Sequence, residues 1–62
     1  GEDMTEFKIG DQVRVKPHSR FYQLHKNEVG RIKHITRKEP RLYTIKFNFV
    51  MISVKQDELE EI

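Results

Sequence analysis

Eight side chains in the middle of the chain have the types and spacing to bind an anionic partner: Arg14, Lys16, Arg20, Phe21, Tyr22, Lys26, Arg31 and Lys33. Six are cations, and two are adjacent aromatics. Arginine and lysine donate charge-assisted hydrogen bonds to carboxylates and phosphates. An aromatic ring beside them stacks on a base or anchors in a protein pocket. Arg14 and Lys16 are two apart, so a strand puts both on one face. Most of the others fall in "KPHSRFYQLHKNEVGRI", residues 16–32. That stretch reads as a binding loop, with Phe21 also tucked toward the core.

Other chemistry finds less support. His18, His25 and His34 match no compact spacing for metal ligands, and nearby Arg and Lys side chains repel a divalent cation. All three histidines read as surface residues, and no metal site is expected. There is no cysteine, which excludes disulfides, thiolate metal sites and a thiol nucleophile. Ser19 and Ser53 have no histidine–carboxylate pattern near them in sequence. The carboxylates of "DELEE" (57–61) read as a solvated charge run. No catalysis and no cofactor are expected.

A chain of 62 residues makes one domain. A domain of this size buries only roughly 60% of its unfolded surface, which leaves little room for an enclosed substrate cleft. The formal net charge is +2, and it is unevenly spread. Residues 1–11 and 47–62 are each net acidic, and residues 12–46 carry ten Lys/Arg against Glu28 and Glu39. Such asymmetry points to an acidic protein surface or to RNA or DNA. No apolar run reaches the roughly 20 residues of a spanning helix, so no membrane partner is expected. No signal-peptide pattern is visible. A small domain without cysteines fits a reducing cytoplasm best. Residues 1–7 are expected to be a flexible N-terminus, with an expression vector as one source of Gly1-Glu2-Asp3 before Met4. Residues 8–62 form the expected domain.

The positioning elements read as short strands. Gly10-Asp11 is a turn pair, after which Val13 and Val15 alternate with Gln12, Arg14 and Lys16. Pro17 ends that strand because it cannot donate to a ladder. Residues 17–28 read as a long loop, with Leu24 as a further candidate for the core. "NEVGRIKHI" (27–35) is a second strand, where Gly30 signals a bulge or a close backbone approach. The break in alternation from Ile32 to Ile35 signals a bend. "TRKEPR" (36–41) is a loop. "LYTIKFNF" (42–49) alternates, with Tyr43, Ile45, Phe47 and Phe49 on one face and Lys46 on the other. "VMISV" (50–54) is another short strand. "KQDELEEI" (55–62) is a helical turn, with Asp57 its candidate cap, or a turn into a last strand. A domain this small cannot bury all of "FNFVMI" (47–52), so an exposed apolar patch or dimer edge is expected.

"GDQVRV" (10–15), "NEVGRIKHI" (27–35), "LYTIKF" (42–47) and "VKQDELEEI" (54–62) together resemble the SH3-like small-barrel group. The order of elements is similar to that of KOW and Tudor-type modules. It is also similar to the small barrel subunit of photosystem I and the variable chain of ferredoxin–thioredoxin reductase. The resemblance covers about residues 8–62. It implies an all-β SH3-like barrel of about five antiparallel strands, with one helical turn before the last. It says little about function, because small barrels host unrelated partners. The chain has no tryptophan for a proline-peptide groove. It also has too few convergent aromatics for a methyl-lysine cage.

The expected function is therefore non-catalytic. A basic face and the 17–28 loop dock a protein partner with an acidic surface, and weakly sequence-selective RNA or DNA binding is the alternative. The domain itself is expected to be a monomer or a weak dimer. In a barrel the first and last strands are neighbours, so Glu58, Glu60 and Glu61 are expected beside Arg14 and Lys16.

Overall fold

The computed structural model describes residues 7–62. Five antiparallel strands form one sheet: β1 (Gln12–Val15), β2 (Gly30–Ile35), β3 (Leu42–Phe47), β4 (Val50–Lys55) and β5 (Leu59–Glu61). Their order across the sheet is β4-β3-β2-β1-β5. A single α-helical turn, α1 (Tyr22–His25), interrupts the first long loop, and a 3-10 turn over Gln56–Glu58 precedes β5. The expected all-β architecture, with a helical turn before the last strand, is what the chain adopts. Among the described residues no helix is long and apolar enough to cross a membrane. Residues 1–6 of the expected N-terminal segment lie outside the described residues. Phe7, its last residue, is buried and meets Tyr43 edge-on at 6.0 Å between ring centroids.

Alternation sets which residues point inward. Val13 and Val15 of β1, Ile32 of β2, Tyr43, Ile45 and Phe47 of β3, Ile52 and Val54 of β4 and Leu59 of β5 make the core. Burying one such side chain stabilises the fold by about 1.5–3 kcal/mol. Phe49 does not continue the inner row of β3, as strict alternation predicts. Asn48 takes a left-handed conformation, with φ of 49°, and Asn48-Phe49 becomes the two-residue turn between β3 and β4. Asparagine tolerates this region better than most residues. The turn throws the Phe49 ring entirely into solvent, at 100% exposure.

Two sequence signals in β2 have clear structural causes. The β2–β3 register shifts by one residue between Ile32 and His34, so Lys33 is the extra residue of a bulge. This is the bend implied by the Ile32–Ile35 spacing. Gly30 is buried where the core closes on the backbone. A Cβ there would collide with Cγ2 of Ile45 and lie 2.7 Å from Cε1 of Phe47. Both contacts are shorter than two carbon atoms tolerate.

Residues 17–28 differ from their expected form in two places. Leu24 is 71% exposed rather than tucked into the core. His25 is buried rather than on the surface. Its ring stacks on Phe47 at 4.3 Å and 9°, while its Nδ1 lies 2.9 Å from Oε1 of Glu28. Phe47 is thus held between Gly30 and His25. The α1 turn puts His25, not Leu24, on the side facing the sheet.

Gly30→Ala should destabilise the domain by about 1–3 kcal/mol through overpacking. In a domain of this size each kcal/mol lowers the melting temperature by roughly 4–8 °C. Thermal unfolding followed by circular dichroism checks this, and an unchanged melting temperature would show that the core yields at Gly30.

Candidate functional site

The eight candidate binding residues fall into two groups. Arg14, Lys16, Arg20, Phe21, Tyr22 and Lys26 belong to the end of β1 and the long loop. Arg31 and Lys33 lie on the outer face of β2.

The loop group is built on one carboxylate. Ser19 donates its hydroxyl hydrogen to Oε1 of Glu58 at 2.6 Å, across 39 positions of sequence. The same Ser19 oxygen accepts the N–H of Phe21 at 3.1 Å, a local turn that serine favours. The other oxygen of Glu58 accepts the N–H of Lys55 at 2.9 Å. Glu58, not Asp57, thereby caps the 3-10 turn. Lys16 is half-buried, and its N–H donates to the carbonyl of Glu58 at 2.7 Å. Burial by itself raises the carboxyl pKa of Glu58. The hydrogen bonds from Lys55 and Ser19, with the charges of His18 and Arg20, act the other way and prevail. The carboxyl is held below its ordinary value of 4.5.

The cations of this group are therefore partly matched within the chain. Arg14 lies directly across the β1–β5 ladder from Glu60, as expected of neighbouring first and last strands. Arg20 sits over the ring of Phe21, 5.1 Å from its centroid. Phe21 and Tyr22 are half-buried and pack against the core. Tyr22 and Lys26 line a shallow depression with Arg14 and Glu60.

The sheet group is different. Four cross-strand partners form one solvent-facing row: Gln12 on β1, Arg31 on β2, Lys46 on β3 and Met51 on β4. All four are exposed. Like charges directly opposite each other destabilise a ladder, and Arg31 faces Lys46. Nη1 of Arg31 donates to the carbonyl of Gly10 at 2.9 Å, which fixes part of its guanidinium. Lys33, in the bulge, joins Arg31 and Lys46 around a shallow depression edged by Gln12 and Asn48. Among the described residues its wall holds three cations and no carboxylate. Met51, 61% exposed, stands across from Lys46, and Phe49, 100% exposed, lies at the adjoining β3–β4 turn.

Lys46 was legible as an outward residue of β3 but not as a partner of Arg31, because register is not written in one strand. Phe49 was hidden by the alternation it seemed to continue. Ser19 and His25 carried no sequence signal for their tertiary contacts. Among the described residues no group of three His, Asp or Glu side chains is placed to hold a metal ion. Compared with known proteins, the chain matches no family model, no curated protein and no solved structure.

A carboxyl with a lowered folded pKa stabilises the fold above its unfolded value, and that share is lost as pH falls through the folded value. Glu58 therefore contributes fully above pH 4.5 and progressively less below it. Glu58→Gln removes this dependence. The wild type should lose melting temperature more steeply than the variant as pH falls from about 5 to 3. Parallel slopes in a pH series of thermal melts would contradict the assignment.

Proposed function

We propose that this chain is a non-catalytic binding module of the SH3-like small-barrel kind, docking an acidic protein partner on its basic outer face. The sheet order β4-β3-β2-β1-β5, with a 3-10 turn before β5, supports the grouping. The observation that carries the function is the like-charge pair Arg31–Lys46, joined by Lys33 and faced by no carboxylate in the depression they line. Such a cluster disfavours the free domain and favours a complex that brings negative charge. The loop with Arg14, Lys16, Arg20, Tyr22 and Lys26 supplies a second, weaker contact, since Glu58 and Glu60 already face it.

A protein is favoured over nucleic acid by the neighbours of the cations. Met51, directly across from Lys46, offers aliphatic surface suited to a protein pocket and has no π-face for a base. RNA or DNA is the second reading, favoured by one observation. The fully exposed Phe49 follows Asn48, which edges the depression of three cations, and single-strand binders combine such groups.

Lys46→Glu tests both the site and its cost. It turns a repulsive cross-strand pair into an attractive one, so it should stabilise the free domain by about 0.2–1 kcal/mol. It should also weaken binding to a fluorescein-labelled polyglutamate at low salt. Fluorescence anisotropy measures the binding, and urea unfolding measures the stability. Unchanged polyglutamate binding would remove Lys46 from the site. Tighter binding of labelled single-stranded RNA than of polyglutamate, with a steep salt dependence, would favour the nucleic-acid reading.

A further inference from the structure

We propose that β4 is an open docking edge on which an extended acidic segment of a partner protein adds as a sixth strand. The inference rests on the acidic-partner reading above and specifies how that partner is held. β4 is the last strand of the sheet on its side. Phe47 and Val50 flank a two-residue turn, so they form a hydrogen-bonded pair. Antiparallel alternation then directs the main-chain groups of Ile52 and Val54 to β3 and those of Met51, Ser53 and Lys55 outward. Lys55 bears this out, since its N–H reaches Glu58 rather than β3. Glu58 closes that end of the edge. Among the described residues the amides and carbonyls of Met51 and Ser53 face away from the sheet, open to an added strand.

The two edges of the sheet are guarded unequally. β5 is three residues long and carries Glu60 and Glu61, which discourages pairing by another chain. β4 presents "VMISV" with no charge before Lys55. An exposed, uncharged, β-branched edge is a template for strand addition. Charge complementarity selects the occupant. Side chains on the outer face of an added strand would lie beside Met51, Ser53 and Lys55, with Lys46 and Arg31 on the strands beyond. Carboxylates fit there. A second copy paired through its own β4 would bring its Lys46 and Lys55 onto the same continuous face, and like charges disfavour it.

The test uses a labelled peptide of alternating valine and glutamate, with two N-methylated versions. One is methylated at the amides of one edge, and the other at the amides of the opposite edge. A strand added to β4 uses only one edge. One methylated peptide should lose about tenfold or more in affinity, having lost two main-chain hydrogen bonds, and the other should bind like the parent. Amide exchange at Met51 and Ser53 should slow when the parent peptide binds. Equal binding of both methylated peptides, lost on Lys46→Glu and with Met51 and Ser53 exchange unchanged, would overturn strand addition and leave the basic-face reading standing. No binding of the parent peptide would overturn both. Slowed exchange of the same amides without peptide, growing with protein concentration, would assign the edge to a second copy and overturn the proposal.

Discussion

Glu58 ties the first loop, the end of β4 and the segment after β1 together at one residue. One oxygen receives the Ser19 hydroxyl from the first loop, the other receives the N–H of Lys55 at the end of β4, and its carbonyl receives Lys16 after β1. A domain this small has little apolar surface with which to pin a long loop. It uses a half-buried anion satisfied by several donors, which is a strong arrangement while every donor is present. This contact, with the His25–Phe47 stack, sets the shape of the 17–28 segment and of the turn into β5.

A division of electrical labour results. At the Glu58 end, cations and carboxylates are interleaved, with Arg14 across from Glu60 and Arg20 near Glu58. On the outer face of β2 and β3, the cations meet one another. The first arrangement serves the fold. The second works against it, a local conflict in a chain otherwise consistent with its fold, and it is the conflict that the proposed acidic partner would relieve. Met51 across from Lys46 and the exposed Phe49 at the adjoining turn add apolar surface there.

Much of this architecture is legible in the residues, for identifiable reasons. Val13/Val15 and Tyr43/Ile45/Phe47 alternate cleanly because one face of each strand is buried, and the period of two survives in sequence. Gly30 and the Ile32–Ile35 spacing announce a close approach and a bend, because backbone geometry restricts which residues and spacings can stand there. The failures are equally physical. Phe49 continues an alternation that the chain abandons at Asn48, and whether asparagine turns depends on which strands are to pair. Leu24 and His25 are neighbours on one helical turn. Which of them meets the core depends on where Phe47 lies, 22 positions further on. The cation pair Arg31–Lys46 exists only through the β2–β3 register, and the bulge at Lys33 shifts that register partway along. The site was half visible for the same reason. Composition identifies the charges, and pairing decides which of them remain unmatched.

The sheet order has a consequence for the history of each molecule. β2, β3 and β4 form a meander whose neighbours follow one another in the chain, whereas the β1–β5 ladder joins Val13 to Glu61, near the two ends. Pairing of near neighbours requires a short conformational search, and closing the ends requires a long one. The meander therefore has the shorter search and the ladder with its Glu58 contact the longer one. Loss of that ladder removes the Glu58 anchor of the first loop but leaves His25 on Phe47, and Arg31, Lys46 and Met51 stay in register on the meander. The Arg31, Lys46 and Met51 row thus does not depend on the β1–β5 ladder.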